Sequence, residues 1–348
     1  MRVAKIGFVG CGSHATHNLY PMLPYAKCSL EAVCDLNEKL AVRNSRMFGA
    51  SSWFTDTERM LSETKLDGVF VVGPPEMHYA VGRKVLERGL ALFVEKPPAP
   101  DLERTRELTT LAKANGTFIM PGFMKRHGLA YAKTRAMIES GQFEPNMGFF
   151  RYGHSWIPSD PRRMLLTMSC HAIDLAISFF GDVSEVVSQQ VKGRNIPSLA
   201  VTLRFCSGKI AQLMLDSSQP RIQEHVEISG VSDGGNALII VDNVTHLEFH
   251  RQGQIGIDLL GQEMTEIMPE FDLEDIKMWR PDFGIPNMGQ TRQFFQGFAG
   301  EVREFIDAIL EKRQPYPGPR DALMTMTVIE AIAAKPNGTT SLSEIAAG

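Results

Sequence analysis

Short apolar runs alternate with amphipathic stretches through the first third of the chain. Val3–Val9, Leu30–Cys34, Gly68–Val72, Ala91–Val94 and Phe118–Met120 are near-continuous apolar segments, each closed by a polar or turn-forming residue. Trp53-Phe54 reads as a further short strand. Between them lie helical patterns at Ser13–Leu23, Asn37–Phe48, Thr57–Ser62, Tyr79–Arg88 and Leu102–Ala114. Gly49 suits a left-handed C-cap and Asp101 an N-cap. Apolar runs without polar alternation predict strands buried on both faces, with helices packed on each side. Right-handed crossovers then give a doubly wound parallel sheet.

The pattern changes after about Gly122. Strand-like segments follow one another at Gly148–Tyr152, Val183–Val191, Leu199–Phe205, Lys209–Ser217, Glu224–Gly230, Ala237–Val241 and Thr245–His250. Only one long helical pattern, Leu165–Phe180, interrupts them. Ser207-Gly208 is a hairpin signal. Consecutive strands without helices between them predict a mostly antiparallel sheet. Segment 254–295 is punctuated by Pro, Gly and Met and reads as loops. Two helices, Gly300–Lys312 and Arg320–Ala334, finish the pattern. The expected architecture is α/β, with a dinucleotide-binding domain at 1–121 and a second domain at 122–348 that has a large, open, mostly antiparallel sheet.

Composition narrows the function classes. A 348-residue chain fits about two domains. Lys and Arg total 36 against 40 acidic residues, a net charge of -4, which argues against nucleic acid as a partner. No apolar run approaches the ~20 residues of a membrane span. Met1-Arg2-Val3-Ala4-Lys5 leads straight into a strand-like segment without a signal-peptide pattern. The five cysteines are scattered and form no C-x-x-C pair, so neither a metal ribbon nor a disulfide framework is expected. These features predict a cytoplasmic protein without a metal centre. The 18 methionines read as gap-fillers of core and interface.

The first chemical signal is Gly10-Cys11-Gly12-Ser13-His14-Ala15, a G-x-G-x-x-A stretch between a strand and a helical pattern. The first glycine permits a tight turn, the second admits a pyrophosphate, and the small third residue lets helix pack on strand. Asp35 lies 23 residues beyond Gly12, at the end of the next strand. There a carboxylate binds the adenosine ribose and repels a 2′-phosphate, which favours NAD over NADP. Read more blandly, the loop is a generic α/β turn and Asp35 a helix cap. Two further signals follow later strands: Gly73-Pro74-Pro75-Glu76-Met77-His78 and Glu95-Lys96-Pro97-Pro98. Ligands of open α/β sheets bind at those strand ends. A surface Lys–Glu pair before a Pro-rich turn is the alternative.

Taken in order, Gly10–Ala15, Asp35, Pro74 with His78, Glu95-Lys96-Pro97 and His171-Ala172-Ile173-Asp174 resemble the glucose–fructose oxidoreductase/inositol dehydrogenase/MocA family. The resemblance extends over nearly the whole chain, including Phe123–Arg126 and Glu301–Leu310. It implies a Rossmann domain, a C-terminal α/β domain, and NAD(P)-dependent oxidation or reduction of a sugar, cyclitol or related polyhydroxylated compound. It also implies a homodimer or homotetramer formed through the open sheet. Carried over by position, Lys96 contacts the nicotinamide side and the reacting oxygen, and His171 is the general acid/base. Pro74, His78 and Glu95 line or support the cofactor site, Arg126 is the family's Arg at the start of the second domain and a candidate substrate contact, and Asp174 is the companion acid of His171, structural or substrate-contacting.

The sequence departs from the family at two places, one of them Pro75, where Asn is common. Where the family carries G-G-x-x-x-D-x-x-x-H, this chain has Arg162-Arg163 in place of the glycines and Thr167 in place of the Asp. Thr cannot ionise, so the usual Lys–Asp–His cluster lacks its carboxylate. The same change suggests a cationic pocket of Lys96, Arg126, Arg162 and Arg163, with Lys125 and His154 nearby, suited to an acidic substrate. The bland reading leaves both arginines facing solvent. Trp156 and Trp279 are candidate sugar-stacking walls or ordinary core aromatics. Three functions remain open: an NAD-dependent dehydrogenase, an NAD-using enzyme with redox-neutral net chemistry such as elimination or glycoside cleavage, and a non-catalytic dinucleotide sensor.

Overall fold

A computed structural model describes residues 2–155, 160–191, 197–251, 276–281 and 291–342. The first sheet contains β1 (Ala4–Val9), β2 (Cys28–Cys34), β3 (Ser52–Phe54), β4 (Gly68–Val71), β5 (Ala91–Glu95) and β6 (Ile119–Gly122). Their order is β3-β2-β1-β4-β5-β6 and every pair is parallel. The order reverses between β1 and β4, which opens a crevice at their carboxyl ends. Helices α1 (Glu38–Phe48), α2 (Thr57–Glu63), α3 (Pro75–Glu87) and α4 (Leu102–Ala114) cover the sheet. Asn37, Asp56 and Asp101 cap α1, α2 and α4 by accepting backbone N–H bonds.

The crossover after β1 is not a regular α-helix. A π turn over Ala15–Leu19 runs into a 3-10 segment over Tyr20–Tyr25. Pro21 and Pro24 have no N–H to give, so an unbroken i to i−4 ladder cannot run through Ser13–Leu23.

The second sheet is mixed and mostly antiparallel. Its strands are β7 (Glu144–Gly153), β8 (Val183–Gln190), β9 (Ser198–Phe205), β10 (Ile210–Asp216), β11 (Gln223–Ser232), β12 (Gly235–Asp242), β13 (His246–Arg251), β14 (Ile276–Trp279) and β15 (Gly338–Ser341). Among the described residues they run in the order β14-β13-β12-β11-β7-β10-β9-β8-β15, with β7 and β10 the one parallel pair. Strand β14 falls within the segment read as loops; the rest of 254–295 lies mostly outside the described residues. Helix α5 (Leu129–Glu139) and edge strand β15 also lacked a clear apolar period. One sheet face packs against α5 and the helical run α6 (Pro161–Phe180). That run is long and apolar enough to cross a bilayer, but 78% of its apolar window is buried in the core. The opposite face leaves Met147, Met214 and Met278 exposed.

The two C-terminal helices are divided between the cores of the two sheets. Helix α7 (Phe298–Glu311) returns to the first sheet, where Phe305 packs edge-on against Phe70, Phe93 and Phe118. Burying such a ring stabilises by roughly 1.5–3 kcal/mol. Helix α8 (Pro319–Ala334) packs its Met326, Val328 and Ile329 into the second core.

Candidate functional site

The glycine-rich turn leaves β1 at the crevice. Gly10 has φ +105, and a Cβ there would run into the Val72 carbonyl, so the turn requires glycine. A Cβ on Gly12 would meet nothing within 4 Å. It would jut into open space where a phosphate must approach the backbone. The Asp35 carboxylate accepts the Cys11 N–H at 2.7 Å and the Asn37 N–H at 2.8 Å. Asn37, rather than Asp35, caps the helix. Asp35 therefore ties the turn to the end of β2 and keeps lone pairs for ribose hydroxyls. Arg43 is engaged with the Cys11 carbonyl, Thr16 and Asn44, which leaves it poorly placed to accept a 2′-phosphate. Leu36, 94% exposed beside Asp35, offers an apolar platform that sequence reading missed. These features fit a dinucleotide without a 2′-phosphate.

Gly12 to Ala15, Gly73, Pro74, Glu95 and Lys96 line a cleft of about 410 Å³. His78 is buried behind it. Its Nε2 accepts the Gly73 N–H at 3.0 Å and its Nδ1–H donates to the Pro97 carbonyl at 2.8 Å. Burial pushes its pKa down, so a neutral ring clamps the loops after β4 and β5 together. The Lys96–Pro97 bond is cis. Glu95 Oε1 accepts from His14 Nε2 at 3.0 Å and Oε2 from the Lys96 N–H at 3.0 Å. Burial raises its pKa, but His14 and Lys96 outweigh this and hold it below the usual value.

One buried acid has no hydrogen-bond partner among the described residues. Both Glu301 oxygens, on α7, are unsatisfied, and burial together with the Glu95 charge lifts its pKa well above the usual range. Glu301 holds its proton when folded and loses it when unfolded at neutral pH. Wild-type stability must therefore fall as pH rises from the unfolded pKa toward the folded one, by about 1.4 kcal/mol per pH unit. Glu301→Gln is expected to be more stable than wild type at pH 7 and to lose that advantage near pH 4.5. Denaturant titration across this range checks it; parallel curves would contradict it.

Lys96 meets the second domain directly. Its Nζ donates to the Thr167 backbone carbonyl at 2.6 Å. Thr167 sits in a π turn, Leu165–Ser169, inside α6, where the shifted ladder presents that carbonyl. The Thr167 hydroxyl donates instead to the Arg163 carbonyl at 2.6 Å. A backbone oxygen thus occupies the place of the missing carboxylate as partner of the lysine. Thr167→Ala is expected to change kcat/KM by less than about threefold, because the contact does not use the side chain. A loss of more than tenfold would show that the hydroxyl matters.

His171 lies one turn further along α6, buried, with no partner for Nδ1 among the described residues. Burial, then the charges of Lys96, Lys125 and His14, push its pKa well down. The imidazole is neutral at pH 7 and able to accept a proton.

The structure places three cations of the expected pocket, Lys125, Arg126 and Arg162, in ion pairs. Arg126 donates through Nε and Nη2 to both oxygens of Asp174 at 2.9 and 2.7 Å, and through Nη1 to Asp321 at 2.8 Å. Burial lifts Asp174 to about 6 against the pull of Arg126, so the pair is ionised at neutral pH. Arg126 and Asp174 thus bind each other. Arg162 is spent on Glu330 and the Pro100 carbonyl, both at 2.7 Å. Lys125 is paired with Glu224. Arg163 is exposed and gives its backbone N–H to Asp160, the cap of α6. His154 is buried at the end of β7. Trp279 lies on β14 with Lys133 Nζ 4.7 Å from its ring centroid, and Trp156 lies outside the described residues. No group of three or more metal-binding side chains occurs among the described residues.

Comparison with known proteins identifies the family. Residues 4–123 match the NAD-binding Rossmann-fold domain of an oxidoreductase family, and residues 139–342 match its C-terminal alpha/beta domain. The chain is 31% identical over 142 residues to a scyllo-inositol 2-dehydrogenase (NAD(+)) of Bacillus subtilis, covering 41% of each chain. It is 33% identical over 205 residues to an inositol 2-dehydrogenase of Corynebacterium glutamicum, covering 56% of this chain and 59% of that one. These matches span well under two thirds of either relative. A dehydrogenase from Chromobacterium violaceum superposes with a TM-score of 0.82 at 25% identity, over 96% of this chain and 95% of that one. With both domain models matched in order, the chain belongs to the Gfo/Idh/MocA family of NAD-binding oxidoreductases.

Proposed function

We propose that this protein interconverts a secondary alcohol and a ketone on a neutral polyhydroxylated compound, a sugar or a cyclitol, using NAD. Gly10 to Ala15, Asp35, Pro74 and Glu95 hold the dinucleotide, whose nicotinamide supplies or takes up the hydride when bound, with Lys96 at the reacting centre. The chain's own task is the proton and the charge on oxygen. Lys96 is anchored by one N–H to the Thr167 carbonyl and keeps two N–H groups for the substrate oxygen, where its charge stabilises a developing alkoxide. The neutral His171 imidazole accepts the hydroxyl proton in oxidation and returns it in reduction.

The observation that carries this reading is the Lys96–Thr167 contact. It supplies the lysine with a fixed partner despite the missing Asp, and so weakens the case for redox-neutral chemistry or for a sensor. Neutral substrates are favoured over acidic ones because Lys125, Arg126 and Arg162 are already paired. The test is a panel of neutral and acidic sugars and cyclitols with NAD, read by the absorbance of the reduced nicotinamide. Turnover with neutral members supports the proposal; turnover with acids alone, or with none, removes it. The exposed methionines of the open sheet face support assembly into a homodimer or homotetramer there.

A further inference from the structure

A chain of buried groups runs from His171 into the second sheet. The His171 and Tyr152 ring centroids are 6.4 Å apart. Lys125 Nζ lies 5.4 Å from the same Tyr152 ring and is paired with Glu224. Glu224 Oε1 accepts the Tyr131 hydroxyl at 2.5 Å. Lys125, Glu224, Tyr131 and Tyr152 are each at most 6% exposed. Lys125 comes from the turn Met124–His127, Tyr131 from α5, Tyr152 from β7 and Glu224 from β11, so four elements supply these groups. A buried ion pair is costly to assemble and seldom adds net stability, so its presence beside a proton-carrying histidine calls for a role.

We propose that Lys125, held by Glu224, is a positioning residue for His171: its ammonium, packed on the ring that His171 also touches, keeps the imidazole in its proton-accepting form. Lys125 and His171 both lie against the Tyr152 ring, and Glu224 also accepts from Tyr131. The other charged or titratable groups acting on the imidazole are Lys96 from the loop after β5 and His14 from the glycine-rich turn. Asp174, on the same helix, is bound to Arg126. The proposal rests on the reading of His171 as the proton carrier, but its test does not depend on turnover.

The test is the pH titration of the His171 imidazole by NMR in protein with isotope-labelled histidine, the signal assigned by its loss in His171→Gln. Wild type and Lys125→Arg are expected to titrate below the ordinary histidine value of about 6.5. In Lys125→Met/Glu224→Gln, which removes both charges and leaves no lone buried ion, the midpoint should rise by about half a pH unit or more. Superimposable titrations in the folded double variant would overturn the proposal. So would a wild-type midpoint at the ordinary value of about 6.5, which decides the matter even if the double variant does not fold. Should His171→Ala retain turnover while the imidazole still follows Lys125, the functional reading fails and the Lys125 assignment stands.

Discussion

Lys96→Met is expected to lower kcat/KM by about 10²–10³-fold, while NAD affinity changes only a few-fold. The methionine keeps the length and apolar stem of the lysine but removes the ammonium. The cradle for the dinucleotide is built from the Gly10–Ala15 backbone and Asp35, which the substitution does not touch. The lost group is the one whose charge meets the reacting oxygen. Steady-state kinetics and direct NAD titration on the same preparation separate the two effects. A rise in KM for NAD with unchanged kcat would instead make Lys96 a cofactor anchor.

The second large effect is on stability. Arg126→Met should destabilise the fold by about 3–5 kcal/mol, because Asp174 and Asp321 would lose their shared partner and Asp174 is fully buried. The deficit has a pH signature. Asp174 titrates near 6 even with Arg126 present. Without the guanidinium its folded pKa rises further, so the folded variant binds a proton that the unfolded chain has lost. Stability of the variant should therefore improve as pH falls through the folded pKa. Urea unfolding at pH 5 and pH 8 checks this, with a smaller deficit expected at pH 5. An equal deficit at both would place the cost in packing rather than charge.

Most of the fold was legible because parallel strands buried on both faces leave apolar runs that nothing else in the chain imitates. The glycine-rich turn was legible for the same reason: Gly10 and Gly12 answer to local backbone geometry that reads directly from residue type. The site proper was only half legible. Residue spacing brought Lys96 and His171 forward as candidates but could not say that a carbonyl would meet the lysine. That contact depends on a π turn in α6, and a one-residue shift in helix register leaves no mark on an apolar pattern. The pairing of the cations expected in the cationic pocket was hidden for a related reason. Arg126, Arg162 and Lys125 find their acids at Asp174, Glu330 and Glu224, and the last two lie 168 and 99 residues away in sequence. Glu301 is invisible in sequence because a carboxyl at the start of a helix is ordinary until burial makes it otherwise.

The most direct test of the central claim is to incubate the protein with NAD and a neutral polyol deuterated at its secondary carbons, then examine the dinucleotide by proton NMR. Transfer of deuterium to the nicotinamide ring, lost in Lys96→Met, is the result expected here. Tight NAD binding with an unlabelled nicotinamide, whichever neutral polyol is offered, would contradict it.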